Sequence, residues 1–130
     1  DIIAGFPTET THMFNNTLSL LEECHLNWLH VFPFSARPGT PAARMPQVSK
    51  SVIEYRAAAL RSESSKKLNT HLVSKLGRIE HVLVEVGCRG FTEDFTKVQF
   101  PSGMKVGEII PMKITGQHNN ELLGSPTYQR

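Results

Sequence analysis

Two segments have residue types suited to holding a ligand: Gly5-Phe6-Pro7, and Phe32-Pro33-Phe34-Ser35 running into Arg37-Pro38-Gly39-Thr40. A glycine directly after an apolar run lets backbone approach a ligand closely, and Phe6 and Pro7 offer flat apolar surface of the kind that packs on an adenine. Arg37 can donate bidentate hydrogen bonds to a phosphate or carboxylate, whereas Ser35 and Thr40 can donate singly. Each segment also has a plainer reading. Gly5-Phe6-Pro7 suits a simple strand-to-helix turn, and the second segment suits a loop shaped by proline and glycine in which Arg37 pairs with a neighbouring acid.

A second set of residues suits nucleic acid. Lys66, Lys67, Lys75, Arg78, Arg89, Lys97, Lys105 and Lys113 carry positive charge, with Phe91, Phe95 and Phe100 interleaved. Cations that attract phosphate and exposed rings that stack on bases are the two parts of a single-strand grip. Phe91 and Phe95 are expected in a loop, as the stacking rings, while Phe100 alternates with a core. The alternative is an ordinary charged surface. Residues 1–64 hold five Lys/Arg against six Asp/Glu, net −1, and residues 65–130 hold nine against six, net +3. The positive excess thus lies in the half with the aromatic residues.

Metal chemistry has little support. The histidines at 12, 25, 30, 71, 81 and 118 lack ligand spacing, and the two cysteines, Cys24 and Cys88, have no partners at cluster or zinc spacing. His30 is expected inside a buried strand, Cys24 on a buried helix face, and Cys88 exposed in a Gly-flanked loop. Two unpatterned cysteines argue against a disulfide framework and favour a cytoplasmic location. No apolar run reaches membrane-spanning length, and no signal peptide is visible. An opening at Asp1, inside a strand-like run and without an initiator methionine, suggests an excised piece.

The elements that must position these residues follow from periodicity. Ile2, Ile3 and Ala4 read as the tail of an apolar strand, and Thr8 or Thr10 can cap a following helix over residues 10–24, with Met13, Phe14, Leu18, Leu21 and Cys24 on its apolar face. Residues 26–34 are aromatic and aliphatic, too short for a helix and stopped by Pro33, hence a buried strand. Strand, helix, strand is a βαβ unit of a parallel sheet, whose Gly/Pro turns follow the strand C-termini. After a Pro/Gly/Ala loop at 37–48, Ser51-Val-Ile-Glu54 has the pattern of a capping box, and a helix over residues 51–76 is expected, about 39 Å long if unbroken, with a bend near Ser62–Ser65. Beyond Gly77 the period becomes two. Val82, Val84 and Val86, then Thr96, Val98 and Phe100, then Ile110, Met112 and Ile114, mark half-buried strands, followed by a last short strand at 121–123. With turns at 87–90, 101–103 and 116–120, these strands fit a small closed barrel.

The phrases DIIAGFPTET at 1–10 and LHVFPFSARPGTPA at 29–42 resemble the last two strand ends of a radical-SAM barrel. They are nearly letter for letter those of its methylthiotransferase branch, which read close to DIIVGFPGET and LHVFPYSPRPGTPA. The barrel segment resembles a TRAM domain, through VLVE at 82–85, a Gly-rich turn, Arg89 and the strand with Lys97 and Val98. The resemblance implies an α/β fragment, the C-terminal βαβ of a radical-SAM partial barrel at 1–48, a connecting helix at 49–76 and a small all-β, TRAM-like RNA-binding barrel at 77–130. It implies that Ile3, Gly5, Phe6 and Pro7 line an S-adenosylmethionine pocket, and that Arg37, Arg89, Phe91, Phe95 and Lys97 contact RNA. The parent would use S-adenosylmethionine and two [4Fe–4S] clusters to add a methylthio group to C2 of threonylcarbamoyladenosine beside the anticodon. Its isopentenyladenosine and ribosomal-protein relatives are the near alternatives, and a stand-alone RNA-binding module is the alternative of a different class. The family's CxxxCxxC loop is missing, so the isolated chain is expected to be inactive and to bind no cluster stably. Expected partners are the tRNA anticodon stem-loop, the missing N-terminal part of the same polypeptide and, through uncovered apolar surface, further copies of the fragment, with no membrane. Two departures stand out. Thr8 replaces the family's usual glycine, and Phe34 its usual tyrosine.

Overall fold

The chain divides into two compact units, Asp1–Leu68 and Asn69–Arg130, and the computed structural model describes residues 1–127. A long helix runs through the division, so its N-terminal part belongs to the first unit and its last turns to the second.

In the first unit, β1 (Ile2–Ala4) pairs in parallel with β2 (Val31–Pro33) in the register Ile2 to Val31, Ile3 to Phe32 and Ala4 to Pro33. Between them lies α1 (Thr11–Glu23), capped by Thr10, whose side chain accepts from the Met13 amide at 3.1 Å. The βαβ unit read from the sequence is therefore present. The long helix, α2, spans Lys50–Lys75. Ala4, Phe14, Leu21, Ala57 and Leu60 form a core, with Ile2, Leu18, Leu29 and Val31 packed against it. One face of the two-stranded sheet is thus covered by helices. The opposite face carries Ile3 and Phe32, which are 53% and 51% exposed.

Several expectations for this unit need correction. The second strand is three residues long, not nine, because its partner β1 offers only three residues to pair with. His30 stands just before β2 with an exposed side chain, not inside a buried strand. Met13 is exposed and Cys24 is the exposed C-cap of α1, so the buried stripe narrows to Phe14 and Leu21. α2 begins at Lys50, which puts Ser51 inside the first turn instead of at the cap, and it continues through Ser62–Ser65 as unbroken helix.

In the second unit, β3 (Ile79–Glu85), β4 (Arg89–Phe91), β5 (Lys97–Gln99), β6 (Ile109–His118) and β7 (Glu121–Pro126) close into a barrel in the order β3-β4-β5-β7-β6. Neighbours run antiparallel except β5 and β7, which are parallel. Val82, Val84, Val98, Phe100, Met112, Ile114 and Leu122 fill the interior, as the two-residue period requires. Val86 breaks the pattern: it lies past the end of β3 and is 80% exposed. Gly90 is demanded by closure, since a β-carbon there would collide with the Leu83 carbonyl and the Val82 side chain. The expected turn at 116–120 shrinks to Asn119-Asn120, both at positive φ (50° and 63°), which suits a tight hairpin. Gly116 instead belongs to β6, beside a bulge after Ile114.

Candidate functional site

The Gly5-Phe6-Pro7 turn is built around Gly5, whose φ is +79° and whose missing β-carbon would strike Ile53 on α2. The close approach that requires glycine is thus to a neighbouring helix. Gly5 N–H donates to Glu9 Oε1 at 3.1 Å. The same oxygen lies 2.8 Å from Arg56 Nη1, which also donates to the Glu9 carbonyl at 2.8 Å. Arg56 is buried, with its guanidinium 5.5 Å from the Phe14 ring centroid, so the pair is bonded at both ends and shielded. Of the four expected cofactor-binding residues, Gly5 and Pro7 are buried, while Ile3 and Phe6 face outward. Phe6 meets Phe34 edge-on at 5.6 Å between centroids. Ile3 and Phe32, paired across the sheet, and the Phe6–Phe34 contact therefore supply apolar surface on this unit.

Thr8 lies at φ +71°, in the left-handed region, and its N–H donates to the Pro46 carbonyl at 3.2 Å. Arg37 is exposed and makes no ion pair among the described residues, whereas Thr40 turns back on the loop, its hydroxyl donating to the Arg37 carbonyl at 2.8 Å. Iron–sulfur clusters are held by sets of cysteine thiolates. Cys24 and Cys88 are both exposed and lie in different units, and among the described residues no group of three or more His, Cys, Asp or Glu could hold a metal ion.

On the barrel, the register places Phe91 opposite Lys97 and Arg89 opposite Gln99, so all four share the outer face of β4 and β5. Arg89, Phe91 and Lys97 line a concavity of about 240 Å³ together with Glu85, Val86, Gly90 and Glu121. The acids balance the cations locally. Glu121 Oε2 lies 3.7 Å from Arg89 Nη2 and also accepts from the Gln99 side-chain amide. The structure thus brings together three of the four barrel residues singled out from the sequence, on a face less positive than the cations alone suggested. Phe91 is a correction, since it is a half-buried strand residue, not a loop residue. Phe95 does sit in the turn between β4 and β5, 78% exposed.

The supposed cation set shrinks further. Lys75 lies 3.0 Å from both Glu80 Oε1 and Asp94 Oδ2, Lys67 lies 3.3 Å from Glu22, and Lys66 lies 3.3 Å from Glu63. Burial alone would lower the Lys75 pKa, but hydrogen bonds and charge from Asp94 and Glu80 outweigh it and raise the value. Burial acts to raise the Asp94 pKa, yet hydrogen bonds from Thr92, Lys75 and Thr96 and the Lys75 charge hold its carboxyl below the usual carboxylate range. The sequence reading missed this network. Its only trace there was the polar alternation Thr92, Asp94, Thr96 beside an apolar strand.

No family model matches the chain. Curated relatives do. The threonylcarbamoyladenosine tRNA methylthiotransferase MtaB of Rickettsia prowazekii is 43% identical over 116 residues, 89% of this chain and 28% of the relative. The chain matches a fragment of a tRNA methylthiotransferase. A probable threonylcarbamoyladenosine tRNA methylthiotransferase of Methanocaldococcus jannaschii is 37% identical over 88% of the chain and 27% of its own length. A tRNA-2-methylthio-N(6)-dimethylallyladenosine synthase of Pelotomaculum thermopropionicum is 35% identical over 98% and 31%. The chain therefore spans roughly 30% of the length of these relatives. Among the described residues, no helix is long and apolar enough to cross a membrane.

Proposed function

We propose that this chain is the C-terminal part of a radical-SAM tRNA methylthiotransferase acting on threonylcarbamoyladenosine beside the anticodon, and that its barrel is the end that grips tRNA. The observation that carries this reading is the 116-residue match to MtaB, longer than either unit alone, so that a single relative accounts for the βαβ unit, the helix and the barrel together. The dimethylallyladenosine branch is the second reading, supported by a match that covers 98% of the chain. In the parent, S-adenosylmethionine and an iron–sulfur cluster would supply the radical chemistry. Here Ile3, Phe6, Phe32 and Phe34 would contribute one apolar wall of the adenosyl pocket, with Gly5 and Pro7 fixing the turn and Glu9 and Arg56 fixing Gly5. Clusters and the rest of the pocket belong to the remaining part of the parent. Arg89 and Lys97 would attract phosphate, Phe91 and Phe95 would offer rings, and Arg37 would contribute a phosphate contact from the first unit. The setting is cytoplasmic, where tRNA is modified.

Two experiments test this. A labelled tRNA anticodon stem-loop titrated with the full chain at two salt concentrations should show weak binding that falls with salt, and Arg89→Ala with Lys97→Ala should weaken it for every sequence tried. Anaerobic reconstitution with iron and sulfide should give no stoichiometric cluster and no deoxyadenosine. Absence of binding at low salt, or a cluster that cleaves S-adenosylmethionine, would overturn the assignment.

A further inference from the structure

Phe95 combines two features that a turn residue rarely shows together. Its φ is +64°, in the left-handed region, where a bulky side chain is strained, and its ring is 78% exposed, so the strain is not offset by burial. A glycine or asparagine would make the same turn at lower cost. The backbone is locked around the ring: Phe95 N–H donates to the Thr92 carbonyl and Thr92 N–H to the Thr96 carbonyl, each at 3.0 Å. Thr96 N–H donates to Thr92 Oγ1 at 3.1 Å, and both threonine hydroxyls donate to Asp94 Oδ1. The other oxygen of Asp94 faces α2, 3.0 Å from Lys75 Nζ and 3.2 Å from His71 Nε2. Consecutive residues thus point opposite ways, Asp94 into a charged clamp and Phe95 into solvent.

We propose that Asp94 is a positioning residue which, through Lys75, His71, Thr92 and Thr96, presents the Phe95 ring for stacking on an unpaired RNA base. The proposal rests on the RNA reading of the barrel. An exposed ring on a turn whose backbone is pinned by these hydrogen bonds, two residues before the cationic strand residue Lys97, has the two parts of a single-strand grip, and a turn ordered before binding loses less freedom when a base stacks on its ring. The Asp94 charge is offset by Lys75 at 3.0 Å, which lessens its repulsion of phosphate near the ring.

The test uses the full chain and a labelled anticodon stem-loop, whose loop supplies unpaired bases. Phe95→Gly should keep or raise the thermal midpoint while lowering RNA affinity about 5- to 150-fold, the range that stacking of one base supplies. Phe95→Trp should retain binding. Asp94→Ala should lower affinity in the Phe95 chain yet cost nothing further when combined with Phe95→Gly, because an arm that only aims the ring has no effect once the ring is gone. If Asp94→Ala unfolds the barrel, Asp94→Asn, which keeps an acceptor for the threonines, takes its place in the cycle. Unchanged RNA affinity in Phe95→Gly would overturn the proposal while leaving the RNA reading intact, as would additive losses in the double variant. An unaltered chain that binds no RNA would overturn both.

Discussion

The two units solve the same problem of covering a sheet to different extents. In the barrel each of the five strands has a neighbour on both sides and the side chains of one face fill the interior, so edges and core close together. In the first unit a parallel pair is covered on one face only, leaving Ile3 and Phe32 bare. Parallel sheets are ordinarily covered on both faces. The difference teaches that coverage is a property of each unit: the barrel pairs every strand and fills its own interior, while the βαβ unit leaves one face of its sheet uncovered among the described residues.

The sharpest way to break that comparison is to remove one anchor from each unit. Arg56→Ala leaves the part-buried Glu9 without its charged partner and should cost the first unit up to about 3 kcal/mol. Ile114→Ala opens a cavity in the barrel and should cost about 2–5 kcal/mol. Hydrogen exchange should show the first substitution loosening amides in β1 and α1 but not in the barrel, and the second the reverse. If either loosens both units equally, their independence is lost.

Because the bare face of the first unit is apolar, the fragment should self-associate through it. Light scattering should show Ile3→Lys with Phe32→Lys shifting the chain toward monomer, with folded stability altered by less than about 1 kcal/mol at these exposed positions. A chain that is strictly monomeric before substitution would contradict the uncovered-sheet account.

Acid should distinguish the units in a different way. The Asp94 pKa is depressed when folded, so its contribution to barrel stability is full above the ordinary carboxylate value of 3.8 and is lost as pH falls below it toward the folded value. The Lys75 pKa is raised, so its contribution holds below 10.5 and is lost as pH rises through its folded value. Asp94→Asn should therefore flatten the acid limb of the barrel's melting profile, and an unchanged limb would contradict the assignment.

The smallest expected effect concerns Thr8, a β-branched residue at positive φ. Thr8→Gly should stabilise the first unit by about 1 kcal/mol in denaturant unfolding. A loss would show that the side chain earns its strained place.

What the sequence disclosed follows from the range of the forces involved. Period two in Val82, Val84, Val98, Phe100, Met112 and Ile114 located the barrel core, because alternation is local. The helix at 50–75 was legible within a residue at each end, from its lack of glycine and proline. Strand β4 was not legible: it is three residues long with Gly90 at its centre and so has no alternating side chains to read. The length of β2 was overstated because pairing depends on a partner distant in sequence. The Lys75 clamp stayed hidden for the same reason, since its acids lie at Glu80 and Asp94 and only the fold brings them together.

Hydrogen exchange of the full chain with and without a tRNA anticodon stem-loop tests the division of labour most directly. The account predicts added protection across residues 89–99, where β4, the Phe95 turn and β5 lie, with the amides of β1, α1 and β2 left as they were. Protection confined to residues 1–68, with none at 89–99, would contradict it.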